Sequence, residues 1–413
     1  MSLRALLASL AIAHLVFPMS LLAAPTWTEA EAVAAFLAQS PAMEAARRRL
    51  GLATAETVGA GAWDNPSIDL EREQVFAPGG ATDRNRLGLQ WPLPLTGKQG
   101  LRRAIAQVGV DAAQAELDQE AFHQVQEFRA IYAKAYFAEE RARVLTENLG
   151  VLQRLDRIVA ARTRAGESAG YDLMRLHLAK ASLDARLKSA EAAAREERAK
   201  LYGSLGKPVE GSLRLDLPLT PPPEPQELLA MASRRKDLSV LRAEQEKSRL
   251  SRQLAERLAW SDPSISLGFT QAKEPTVQGS GYVAGLAWPL PLFSHGQQEA
   301  ARAAAQSERL KADESALRQR LSAEIPPSRE AFLIRLRTIE TYRREALARL
   351  PELLRIAEVS YQEGETPVVS LLDAHQAAVE THLQYLSLRG DTQSALLALE
   401  RLIGEPFTTL KRP

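Results

Sequence analysis

The 413-residue chain contains no cysteine. That absence excludes disulfides, thiolate metal sites, cysteine nucleophiles and a lipidated amino-terminal cysteine. Net charge is also nearly absent: 52 Lys+Arg stand against 51 Asp+Glu, so no basic excess marks a nucleic-acid partner. Histidine is scarce, six in all, with no HxxxH pair or His-rich tract, which argues against a metal-catalytic site. No nucleophile–base set or phosphate loop is evident, so an enzyme is disfavoured and no cofactor is expected. Long apolar runs are confined to the amino terminus. What the chain does have is 45% hydrophobic and 25% charged residues, the balance of a folded protein with sizeable cores.

Arg4 precedes a mostly apolar stretch over 5–17, followed by Pro18 and the small residues Ala23 and Ala24. Residues 1–24 therefore read as an export signal, with the mature chain beginning near Pro25. A retained anchor is the competing reading, but His14 and Pro18 interrupt the run short of the roughly 20 apolar residues needed to span a bilayer. With no other such segment, any membrane crossing must use β-strands.

The chain is written twice. Trp63-Asp64-Asn65-Pro66-Ser67-Ile68 returns 197 residues later as Trp260-Ser261-Asp262-Pro263-Ser264-Ile265. Trp91-Pro92-Leu93-Pro94-Leu95 returns at the same offset as Trp288-Pro289-Leu290-Pro291-Leu292. Leu205-Gly206-Lys207-Pro208 answers Ile403-Gly404-Glu405-Pro406 after a slip of a single residue. We read a tandem duplication: a first repeat over 25–217, a proline-rich linker over 218–225 and a second repeat over 226–413. Each repeat begins with a helical segment, 42–60 or 226–258. Hairpins follow over 64–95 and 262–292, then long helices over 98–165 and 296–363, then helices over 170–206 and 368–404. A helix over 98–165 is a rod of about 100 Å, which a coiled-coil or helical-barrel packing accommodates.

The hairpins alternate, and Pro78-Gly79-Gly80 and Gln278-Gly279-Ser280-Gly281 read as the loops between their paired strands. Asp69, Glu71, Glu73 and Gln90 fall on a polar face, and Leu89, Trp91, Leu286 and Trp288 on an apolar one. Polar-inside, apolar-outside strands of about 10 residues fit a transmembrane barrel, with the first set lining the lumen and the second facing lipid. A soluble hairpin packing one face on a core shows the same alternation. Four strands cannot close a membrane barrel, which needs about eight or more, so a membrane reading requires several copies.

This order of elements, with Trp-Pro-Leu-Pro-Leu running into Thr96-Gly97-Lys98-Gln99, resembles the TolC family of outer-membrane efflux proteins. The junction is most similar to the heavy-metal, CzcC- and CusC-like branch, and drug-efflux members share much of it. The resemblance implies long coiled helices plus transmembrane hairpins. It further implies a homotrimer with a 12-stranded barrel in the outer membrane of a Gram-negative bacterium, joined to an α-helical periplasmic tunnel. It also implies a passive duct, docked on a periplasmic adaptor and an inner-membrane pump of the resistance-nodulation-division class. Heavy-metal cations are the expected cargo. The alternative, a soluble periplasmic coiled-coil scaffold or adaptor, keeps the rods but needs the hairpins to be soluble.

The same resemblance places a periplasmic gate at the turn before the last helix. Tyr361 and Asp373 match the family's pattern, whereas Thr366 and Ser370 stand where an Arg and an Asp are usual. Gly364 belongs to the same turn. In the first repeat, Gly166, Tyr171, Asp172 and Arg175 are available for gate or adaptor contacts. His375 and His382 lie seven residues apart without a third ligand, so they are read as packing or surface residues rather than metal ligands. Pro326, Pro327 and Pro351 predict a break or bulge in the second long helix.

Overall fold

The computed structural model describes residues 26–39, 41–78, 80–164, 170–208, 210–217 and 220–407. The export-signal reading over 1–24, the start near Pro25, and Gly166 lie outside them. The first half runs β1 (Thr26–Thr28), α1 (Glu29–Gln39), α2 (Pro41–Ala60), β2 (Ser67–Ala77), β3 (Gly80–Pro92), α3 (Lys98–Arg164) and α4 (Gly170–Leu205). The second runs β4 (Ser212–Arg214), α5 (Pro225–Ala232), α6 (Lys236–Arg257), β5 (Ser264–Lys273), β6 (Gln278–Ala287), α7 (Gln297–Glu345), α8 (Leu350–Gln362) and α9 (Val368–Ile403).

Helix α3, 67 residues long, is the spine. Near the strands it packs against α2 and α6, and toward its far end against α4 and α9; α7 lies against α6 and α9. Three apolar clusters hold the rods together. The first, far from the strands, gathers Leu145, Leu149, Leu152, Leu176, Val368 and Leu371. The second joins Phe36, Phe128, Tyr132, Leu201 and Leu213, with the Phe36 and Phe128 rings stacked 4.6 Å apart. The third joins Leu228, Ile325, Phe332 and Leu399. Among the described residues, no helix is long and apolar enough to cross a membrane.

A capping box starts α1: Glu31 accepts from the Thr28 backbone N–H at 2.9 Å, and the Thr28 hydroxyl accepts from the Glu31 N–H at 3.3 Å. Strands β1 and β4 pair in parallel, clamped by Tyr132, whose Oη donates to the Trp27 carbonyl at 2.6 Å and accepts from the Arg214 N–H at 3.2 Å. The larger sheet has the order β2-β3-β5-β6, antiparallel throughout.

Three expectations need correction. Helix α7 runs without interruption through Pro326 and Pro327. Their missing N–H groups leave the carbonyls of Ser322 and Ala323 without a helical partner, but both residues are exposed and water can serve them. Ile325 and Phe332, both fully buried, hold the helix in the core on either side. The interruption comes later, at the 3-10 turn Leu347–Arg349, and Pro351 sits in the first turn of α8, where a missing N–H costs nothing. Second, the segment 226–258 is two helices, divided at 233–235. Third, the second hairpin turns at 274–277 around Pro275, with Glu274 and Val277 exchanging backbone hydrogen bonds of 2.8 and 3.3 Å. The glycine-rich stretch 278–281 is ladder rather than loop.

Candidate functional site: the sheet face and the helical tip

Residues directly opposite in an antiparallel ladder share a face. The registers Ile68↔Leu89, Leu89↔Leu267 and Leu267↔Ala284 therefore form one row, and Leu70↔Leu87, Leu87↔Phe269 and Phe269↔Tyr282 another. Trp91, Ile265 and Leu286 complete this apolar face. Among the described residues this face is exposed: Leu70 is 80% exposed, Tyr282 91% and Leu286 67%. Trp288 lies just past β6 and is exposed as well. Toward the hairpin tips the same face turns polar with Arg72, Asn85, Gln271 and Ser280.

The opposite face carries Asp69, Glu71, Glu73 and Gln90 together, as their spacing predicts. It also carries Arg84 and Arg86, which sequence reasoning passed over. Glu73 pairs with Arg84 at 3.0 Å and Glu71 approaches Arg86 at 4.0 Å, so two of the three carboxylates are neutralised across the hairpin. Asp69 stands opposite Gly88, and the Gln90 amide donates to Ser264 Oγ at 2.9 Å. The parity of 84 and 86 with 88 and 90 was the available signal.

A latch joins strands to helices. Asp262 accepts from the Thr96 N–H at 3.0 Å, the Thr96 hydroxyl at 2.7 Å and Lys98 Nζ at 3.1 Å. Partial burial raises the Asp262 pKa, but these donors outweigh it and hold the carboxyl below its ordinary value. Asp262→Ala removes one charge-assisted and two further bonds. It should cost about 1.5–3 kcal/mol, read as a lower midpoint in thermal loss of helical circular dichroism.

At the helical tip, Gly364 adopts φ +77° and the chain reverses, with the Glu365 N–H bonding to the Ser360 carbonyl at 2.9 Å. Tyr361 is buried among Val159, Leu176 and Val368. Arg162 of α3 lies over its ring at 5.2 Å and donates to the carbonyls of Tyr361 and Gln362 at 3.2 and 3.0 Å. Arg162, also missed in the sequence, thus fastens this turn to the spine. The Tyr361 hydroxyl makes no hydrogen bond among the described residues. Asp373 sits apart from it, exposed in a cleft of about 310 Å³ between α4 and α9, which Arg175, Arg186 and Gln376 also line. Thr366 is half-buried, Ser370 and Tyr171 are exposed, and Asp172 is half-buried. His375 is buried 3.7 Å from Glu358, and burial pushes its pKa down against the opposing pull of that carboxylate. His382 bonds to the Ala378 carbonyl at 3.1 Å.

One buried ionic cluster was not foreseen. Arg129 Nε bonds to Glu29 at 2.6 Å, its Nη1 bonds to Glu400, and the Gln126 amide reaches Glu400 at 3.2 Å. Burial alone would lower the Arg129 pKa, but the two carboxylates raise it above normal. The cluster ties α1, α3 and α9 at one level.

Comparison with known proteins gives this geometry a context. The cobalt-zinc-cadmium resistance protein CzcC of Cupriavidus metallidurans is 24% identical over 324 residues, covering 76% of this chain and 75% of that protein. The outer membrane protein VceC from Vibrio cholerae superposes with a TM-score of 0.68 at 16% identity, over 92% of this chain and 97% of that one. CusC, described in crystal structures of transmembrane channel formation, superposes with a TM-score of 0.70 at 15% identity, over 91% of each. The outer membrane efflux protein family matches residues 228–405, and its members are channels, not enzymes. Residues 228–405 thus form an outer membrane efflux protein domain, and the fold of these channels runs along the described length of the chain.

Proposed function

We propose that this protein is the outer-membrane duct of a three-part efflux system. The observation that carries the reading is the apolar sheet face, which stands exposed among the described residues. A contiguous face of this kind, rimmed by polar side chains, calls for a nonaqueous partner, and lipid fits its strand period. Four strands per chain leave edges that lipid does not tolerate, so three copies would pool 12 strands into a closed barrel. Asp69, Glu71, Glu73, Gln90, Arg84 and Arg86 then line the lumen, and Leu89, Trp91, Leu286 and Trp288 face lipid. The helices continue the duct through the periplasm to an adaptor and an energised inner-membrane pump. Residues 1–24 direct export.

The cargo reading is heavy-metal cations, supported by the likeness to CzcC. Deleting the gene should sensitise its host to cobalt, zinc and cadmium salts but not to organic cations. The reverse pattern would assign the duct to drug efflux. Fractionation tests the duct itself: a barrel stays with outer-membrane detergent extracts, while a soluble scaffold leaves with osmotic shock.

For the gate, we propose that Asp373 contributes a ring of carboxylates at the narrowest level, with Tyr361, Thr366, Ser370 and Gly364 shaping the turn. Tyr171, Asp172 and Arg175 present the opposing wall. Such a ring favours cations. Planar-bilayer recording of Asp373→Ala should show lost cation selectivity and modestly easier opening. An unchanged reversal potential in a salt gradient would remove Asp373 from the gate.

A further inference from the structure

Strands β2 and β6 are the two edges of the four-stranded sheet, and among the described residues neither has a strand on its outer side. An edge left open in a bilayer strands its backbone donors and acceptors without partners. Building on the channel reading above, we infer that β6 of one copy pairs antiparallel with β2 of the next in a single register. In that register Trp288 faces the partner's Ile68, Ala287 faces the partner's Asp69, Leu286 faces the partner's Leu70, and Gly285 faces the partner's Glu71.

The register follows from the way the two hairpins repeat. Adding 197 to both members of Ser67↔Gln90 and Phe76↔Ala81 gives Ser264↔Ala287 and Lys273↔Gln278, which are also pairs in the sheet. The two hairpins are therefore built alike, residue for residue. Within the chain, the second strand of hairpin one meets the first strand of hairpin two, through Trp91↔Ile265, Gln90↔Ser266, Leu89↔Leu267 and Gly88↔Gly268. The seam between copies joins the second strand of hairpin two to the first strand of hairpin one. It is the same kind of seam with the repeats exchanged. Exchanging them by the same offset yields the four pairs named above.

Side-chain chemistry agrees with this register at the levels of Ile68 and Leu70. Leu286 with Leu70 and Trp288 with Ile68 place apolar against apolar on the outward face. On the other face β6 offers Gly281, Val283 and Gly285, small and uncharged, beside the carboxylates Glu71 and Glu73 of β2. A slip of one residue would turn an apolar face into the lumen. A slip of two would set Leu286 against Arg72 in one direction, or Leu70 against Ala284 in the other. The backbone bond from the Leu93 N–H to the Pro263 carbonyl, 2.8 Å, extends the seam within the chain. Its counterpart would run from the Leu290 N–H to the carbonyl of the partner's Pro66.

The two kinds of seam differ in one respect. Asp262 latches Thr96 and Lys98 within the chain. The residues at the corresponding offset are Asn65, Phe293 and His295. With Asn65 in place of the carboxylate, the seam between copies lacks that ion pair.

Because the natural chain has no cysteine, paired substitutions test the register cleanly. Leu70→Cys/Leu286→Cys and Asp69→Cys/Ala287→Cys are adjacent pairs in the inferred register. Adjacent antiparallel pairs alternate between wide and close spacing, so one of the two suits a disulfide. Ile68→Cys/Leu286→Cys and Arg72→Cys/Leu286→Cys are the off-register controls. Outer membranes carrying each full-length variant are oxidised with copper phenanthroline and run on nonreducing gels, boiled and unboiled. An in-register pair should form covalent oligomers about tenfold faster than either control, whose cysteines would lie a diagonal step further apart. Faster linkage in a control overturns the register while leaving the duct reading intact. So does the absence of any linkage where unboiled samples retain the oligomer. A monomer released by osmotic shock overturns the duct reading and this seam with it.

Discussion

Arg129→Ala should destabilise the helical domain by about 3–5 kcal/mol, because it leaves Glu29 and Glu400 buried beside each other with no cation between them. The loss comes from stranded charges rather than from an opened cavity. Urea titration of detergent-solubilised protein, followed by helical circular dichroism, gives the magnitude. Replacing all three groups together, Arg129→Met with Glu29→Gln and Glu400→Gln, should recover most of the loss. An Arg129→Ala variant as stable as wild type would show that the cluster is not what ties α1, α3 and α9.

Leu89→Arg and Leu286→Arg should each cost about 2–4 kcal/mol, the penalty for a cation on the lipid face of a barrel near mid-bilayer. Both residues are exposed on the apolar side of the sheet. Gln90→Arg, one residue along β3 and on the opposite face, should be tolerated, because that face already carries Arg84 and Arg86. The readout is the yield of heat-dissociable oligomer in outer-membrane extracts, with refolding into vesicles giving the energy. Equal tolerance at 89 and 90 is the result expected of a soluble hairpin.

Much of the architecture is encoded locally, and so could be read in the sequence. The alternation at Ile68, Leu70, Leu87 and Leu89 fixes which strand face each residue takes, since a period of two admits no other assignment. The unbroken Ala-, Leu- and Glu-rich run after Lys98 specifies α3, which the structure ends at Arg164. What escaped depends on distance along the chain. Arg129 meets partners 100 and 271 residues away, and no periodicity announces such a contact. Arg162 reaches Tyr361 across 199 residues for the same reason. Pro326 and Pro327 misled because local propensity forbids a helix there, while packing of Ile325 and Phe332 on both sides enforces one. At the tip, the turn could be read from Gly364, but the burial of Tyr361 among Val159 and Leu176 joins residues far apart along the chain and has no local signal.

In the proposed duct one face of this sheet lies in lipid and the other in water. Spin labels placed one at a time at Leu87, Gly88, Leu89, Gln90 and Trp91 test this most directly, through single cysteines in a chain that has none of its own. Accessibility to oxygen, which partitions into lipid, should peak at 87, 89 and 91. Accessibility to a water-soluble nickel chelate should peak at 88 and 90. Nickel accessibility equal at all five positions in the reconstituted protein would contradict a barrel wall, and with it the duct.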